Sequence, residues 1–258
     1  MTHSDTVKIR VSSGARGLMT RFTIRTLIRS ALLFGLLAGG IVALQGFGYA
    51  EAYTTFQERA VFAQTLASNP SLGVLYGQPI NLTEPVGYIA YRCLPILMIA
   101  GALWGLAIIT KRLRGQEDDG RWELLLTGET TAGRAVVDTI TGTMVATVLA
   151  AVMAIGIMIS VALSSQIGGT AGDATFFGLC VFSAVVLFVG IGSLTSQLAG
   201  TRRRSMLYGV GVLFVLYALR SLANVVGDLS WVRNITPLGW IERALPFNDP
   251  NPLWLLPV

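Results

Sequence analysis

Five stretches of this chain run for about twenty residues or more with almost no charge, and that single feature excludes most of what a 258-residue polypeptide could be. They are Ser30 to Tyr49, Val86 to Thr110, Ala135 to Ser160, Ala174 to Leu198 and Met206 to Val226. A bilayer's hydrocarbon core is about 30 Å thick and takes about 20 apolar helical residues to cross, so each run is long enough to span it. Charged residues make up 13% of the chain, against roughly a quarter in a soluble domain, whose surface must be covered by them. The expected fold is therefore all-α: a polytopic transmembrane helical bundle, with a leader over 1–29 and a transmembrane domain over 30–258. A sixth apolar run starts at Pro252 and stops at Val258, where seven residues reach only about 10 Å. It reads as the start of an incomplete span, in a chain that is cut off or continues in a longer parent.

Basic residues set the orientation. Lys8, Arg10, Arg16, Arg21, Arg25 and Arg29 precede the first run, Lys111, Arg112, Arg114, Arg121 and Arg134 separate the second from the third, and Arg202 to Arg204 separate the fourth from the fifth. Only Arg59, Arg92, Arg220, Arg233 and Arg243 lie elsewhere. The positive-inside rule places the clustered side, and with it the N-terminus, in the cytoplasm. The first run is longer than the apolar region of a signal peptide and reads as a retained anchor. In the leader, Leu18, Phe22, Leu27 and Ile28 interleave with Arg21, Arg25 and Arg29, which fits either an amphipathic helix on the inner surface or a basic flank that fixes orientation. The net charge of +5 is thus topological, and no basic stripe with interleaved aromatics points to nucleic acid.

The connections carry more than turns. Phe56, Ala60, Ala63, Leu66 and Ala67 recur at helical spacing before Asn69-Pro70, predicting a short external helix. Between 227 and 251, Trp231, Leu238, Trp240, Ile241 and Leu245 follow or flank an N-cap and first-turn proline at Thr236-Pro237, predicting an interfacial helix. Inside, residues about 116–127 read as a short helix parallel to the membrane, opened by Glu117, Asp118 and Asp119 and closed by Gly128. Trp122, Leu125 and Leu126 form one apolar face, suited equally to a groove on a soluble protein or to the lipid headgroups.

The string Arg114-Gly-Gln-Glu117-Asp-Asp-Gly120-Arg-Trp-Glu123-Leu-Leu-Leu resembles the coupling-helix signature of permease subunits of ATP-binding-cassette exporters, in particular the polyketide-antibiotic and multidrug branch. Asn69 to Gly77 (NPSLGVLYG) and Thr236 to Phe247 (TPLGWIERALPF) look like that branch's corresponding segments. The resemblance implies half of a translocation pathway for hydrophobic or amphipathic compounds such as antibiotics, in a bacterial plasma membrane. It implies that Glu117, Gly120, Arg121, Trp122, Glu123, Leu124 and Leu125 contact a separate nucleotide-binding subunit, in which ATP and Mg reside. Members of the branch usually carry two six-span halves, and this chain resembles the N-terminal one, so the second half is fused elsewhere or supplied by another copy.

The residues agree that ATP chemistry lies in another polypeptide. A phosphate-cradling loop GxxxxGK[ST] needs glycine before its lysine, and the two lysines here follow Val7 and Thr110. An ion-coupled secondary transporter would need carboxylates near the midplane, and the runs contain none away from their ends. One histidine, His3, and no carboxylate pair in a span leave no enzyme site and no metal set, while a non-transporting scaffold stays compatible with the sequence. Gly35 with Gly39 and Gly101 with Gly105 are small-xxx-small pairs, read first as packing inside one bundle. Arg220, about three-quarters along the fifth run, is expected to snorkel to the outer interface, and Asp138 to pair with Arg134. Cys93 and Cys180 sit near the outer boundary, where a bridge is conceivable but two small buried apolar residues are the ordinary reading. Asn81-Leu-Thr and Asn234-Ile-Thr match the glycosylation triplet and receive no function.

Overall fold

A computed structural model describes residues 18–118, 131–244, 246–247 and 250–258. In chain order the helices are α1 (Leu18–Ala52), α2 (Phe56–Ala67), α3 (Pro70–Tyr76), α4 (Pro85–Asp118), α5 (Ala132–Ala162), α6 (Ala171–Leu198), α7 (Arg202–Val225) and α8 (Pro237–Arg243), with 3-10 helices over Gly227–Asn234 and Pro252–Leu255. There are no strands among the described residues. α1, α4, α5, α6 and α7 are each long and apolar enough to cross a membrane, with mean hydropathy of 1.7 to 2.5 over their most apolar stretches. The chain is a polytopic all-α membrane protein.

α4 and α6 form the centre of the bundle, with 67% and 56% of their apolar stretches buried against 28–39% for the other three. α1 and α5 pack side by side along one flank, and α7 covers α4 and α6 on the other. Close approach depends on small residues. A Cβ at Gly35 would lie 2.6 Å from the Ala150 carbonyl oxygen, and one at Gly39 would lie 2.7 Å from Ile157 Cβ on α5. At Gly101 and Gly105 the neighbours are Val185 Cγ2 at 2.8 Å and the Val185 carbonyl oxygen at 2.9 Å on α6. Both pairs therefore serve packing within the bundle, because dispersion between closely spaced backbones replaces the hydrophobic drive that lipid does not supply. Phe34 stacks on Trp104 at 4.6 Å, and the Trp104 indole N–H donates to Ser30 Oγ at 2.9 Å, joining α1 to α4.

Several hydroxyl groups in the spans are satisfied by neighbouring groups, as hydrocarbon favours. The hydroxyls of Thr139, Thr143 and Thr147 donate one turn back to the carbonyls of Ala135, Thr139 and Thr143. Ser205 Oγ lies 3.3 Å from Thr195 Oγ1 and 3.1 Å from Ser196 Oγ, closing the inner α6–α7 turn. The outward apolar residues, among them Leu37 and Leu44 on α1, Val152 on α5 and Phe214 on α7, are exposed, as a lipid-facing surface must be.

Several expectations change. Helices run past the ends of the uncharged stretches, because charged residues in the headgroup zone do not stop a helix. α1 is unbroken from Leu18, so residues 18–29 extend the first span instead of forming a separate helix. There Thr20 Oγ1 donates to the Asp138 carbonyl at 3.2 Å. Asp138 and Arg134 form no ion pair, and among the described residues the ion pairs are Arg114–Glu117 and Arg220–Glu242. Cys93 and Cys180 are free and buried. The external helix predicted around residue 60 is α2, whose start is a capping box: Thr55 Oγ1 accepts from the Glu58 N–H, and the Glu58 carboxylate accepts from the Thr55 N–H. That backbone N–H holds the Glu58 carboxyl below its ordinary pKa.

Candidate functional site

Charged groups gather at both ends of the bundle. At the inner end, α4 continues through Lys111-Arg-Leu-Arg-Gly-Gln-Glu-Asp118, so Glu117 and Asp118 stand in its last described turn. Both carboxylates are engaged from nearby. Glu117 is paired with Arg114, whose Nη2 also donates to the Gly200 carbonyl at 3.0 Å. Asp118 Oδ2 accepts from the Arg202 N–H at 2.7 Å, in the first turn of α7, where the helix dipole favours a negative charge. The inner end of α4 is thus fixed to the start of α7. Glu117 and Asp118 are exposed, while Gly120, Arg121, Trp122, Glu123, Leu124 and Leu125 lie outside the described residues.

At the outer end, Arg220 of α7 is 1% exposed. It does not snorkel, which corrects the expectation. A guanidinium is costly to bury unless it is paired, and the external segments fold back to supply the partners. Glu242 of α8 places Oε2 2.9 Å from Arg220 Nε, an ionic contact without hydrogen-bond alignment, and Nη1 and Nη2 donate to the carbonyls of Leu75 and Tyr76 at 3.4 Å. Asn224 Nδ2 lies 3.2 Å from both Glu242 oxygens. Tyr217 and Ser221 donate to the carbonyls of Leu75 and Val74, so one face of α7 binds the last turn of α3. The turn is made by Gly77, with φ of 87°, where a Cβ would meet Glu242 Oε1 at 2.0 Å. Only glycine combines that backbone angle with that proximity.

α8 is correspondingly more than an interfacial helix. Leu238, Gly239 and Ile241 are buried, and α8 packs on α6 and α7. Between α4, α7 and α8 lies a cavity of about 240 Å³, lined in part by Tyr76, Arg220, Arg233, Glu242 and Arg243. Pro95, on its α4 wall, cannot donate to the carbonyl of Tyr91 one turn earlier.

Residues 64–257 match the family described as "Multidrug efflux system permease Rv1217c, C-terminal domain". The chain belongs to this family. It is a transmembrane permease, as the topology and the motif resemblance both imply. The match takes in α3 to α8 and is to a C-terminal domain, whereas the motifs resemble the first half of a two-half chain. Comparison with individual curated proteins gave no match. Sequence reasoning reaches the permease through residues 114–128 but misses Glu242, Asn224 and Gly77. The available signal is Arg220 itself, since a cation inside a span demands a carboxylate and Glu242 stands in a short helix that the apolar 3.6-residue pattern already marks.

Proposed function

We propose that this permease forms one half of the translocation pathway of an ATP-driven exporter of hydrophobic or amphipathic compounds, antibiotics among them, in a bacterial plasma membrane. A separate nucleotide-binding subunit supplies ATP and Mg, and a second permease half, fused or a second copy, completes the pathway. Glu117, Gly120, Arg121, Trp122, Glu123, Leu124 and Leu125 make the contact with the ATPase.

The observation that carries this reading is the continuity of α4. Its 34 residues, about 51 Å at 1.5 Å each, run from the outer Arg220 cavity to Asp118, inside the segment assigned to the ATPase, which begins with Glu117. Fixed by Arg114 and Asp118 to the α6–α7 turn and α7, this rod would deliver a displacement at its inner end to two spans at once. Family membership supports transport, and the inner carboxylates Glu117 and Asp118, though engaged by Arg114 and the Arg202 N–H, are exposed at the face where a soluble subunit would dock.

The test is co-purification followed by reconstitution. The wild-type permease should retain an ATPase, and the complex in liposomes should raise its hydrolysis rate with a subset of amphipathic compounds. Glu123→Arg or Gly120→Trp should reduce retention of the ATPase without altering the thermal melt of the permease. No bound ATPase, and no stimulation by any compound, would defeat the proposal.

A further inference from the structure

The outer cavity holds more positive charge than its own carboxylate balances. Glu242 is engaged by Arg220 and Asn224, so this pair is electrically closed. Arg233 and Arg243 also line the cavity, and neither has an acidic partner among the described residues. Arg233 Nε is buried without a hydrogen-bond partner. Arg243 lays its guanidinium over the Trp254 ring, with Cζ 4.9 Å from the centroid, which holds the group in place without neutralising it. Tyr91 on α4 adds a hydroxyl, while Ile80 and Leu94 make part of the wall apolar.

Two guanidinium groups without carboxylate partners among the described residues, lining one cavity of about 240 Å³, make a site for an oxyanion, because the planar fork of arginine matches phosphate oxygens in pairs. An unpaired buried N–H costs free energy that such a ligand would recover. The cavity lies toward the outer ends of α4 and α7, and its apolar wall suits the glycerol and first methylenes of a lipid.

We propose that this cavity is a phosphate-binding site on the external face, which takes the headgroup phosphate of an anionic phospholipid or free phosphate through Arg233 and Arg243. The site is independent of the ATPase contact at the inner face, so it can fail or stand without altering that reading.

The test uses the full chain, purified in detergent and titrated in native mass spectrometry with phosphatidylglycerol, phosphatidylcholine and inorganic phosphate separately. Wild type should retain phosphatidylglycerol about tenfold better than phosphatidylcholine, and the double variant Arg233→Gln/Arg243→Gln should lose that preference to within about twofold. Arg233→Lys/Arg243→Lys, which keeps both charges, should retain a measurable preference, and Arg59→Gln, outside the cavity, should behave as wild type. A thermal melt of each variant reports whether the fold is kept. Stabilisation of wild type but not of the glutamine double variant by millimolar phosphate, with no lipid preference, would assign free phosphate as the occupant. The proposal is overturned if neither lipid nor phosphate distinguishes wild type from the folded double variant, or if Arg59→Gln loses as much as the double variant.

Discussion

The two ends of α7 are held by charges of the same kinds in opposite settings. Outside, Arg220 is buried, caged by Glu242 and two carbonyls, and covered by α3 and α8. Inside, Arg114, Glu117 and Asp118 make their contacts in the open. Exposed ion pairs are worth about 0–1 kcal/mol, whereas removing one partner of a buried pair costs about 3–5 kcal/mol. The outer end is therefore held firmly and the inner end lightly, as suits the partner contact proposed at the inner end.

The largest effect that could break this contrast is at the buried pair. Glu242→Gln should destabilise the purified permease by about 3 kcal/mol, read as a lowered thermal midpoint, because the Arg220 guanidinium stays buried without its counter-charge. Arg220→Met combined with Glu242→Met should recover most of that loss. Gly77→Ala comes next, at about 1–3 kcal/mol, since the new methyl meets both an unfavourable backbone angle and the Glu242 carboxylate. At the inner end, Asp118→Asn should destabilise the permease by less than about 1 kcal/mol, the value of an exposed carboxylate at a helix N-terminus, and the difference from wild type should shrink in high salt. The smallest effect belongs to Thr55→Ala, which should fray only the first turn of α2, seen as faster amide exchange around residue 58. The Glu58 contribution to that turn is present above the carboxylate's ordinary pKa and is lost as the pH falls through its lowered value in the folded chain.

How far the sequence foretells this structure depends on the range of the interaction. The five spans are legible because a twenty-residue stretch without charge is stable in few surroundings besides a bilayer, and α2 is legible because apolar spacing and an Asn-Pro stop are local signals. Helix ends read short: residues 111–118 and 18–29 look like loop and leader by charge, yet they are helix, since a membrane helix keeps its backbone bonds through the headgroup layer. Arg220 misleads for a different reason. Its partner stands 22 residues further on, across a 3-10 turn, and nothing in the local pattern of α7 indicates that α8 returns to the bundle. The glycine at 77 carries no signal until its neighbour Glu242 is placed. The segment 119–130 falls outside the described residues, so its contacts rest on motif and family.

The central claim, that the chain after α4 grips a separate motor, is met most directly by a photo-crosslinking amino acid in place of Trp122 in the membrane of a cell that also makes the ATPase. Illumination should give a discrete adduct of permease and ATPase, weakened by Glu123→Arg. Adducts to lipid alone, with the ATPase present and active, would contradict it.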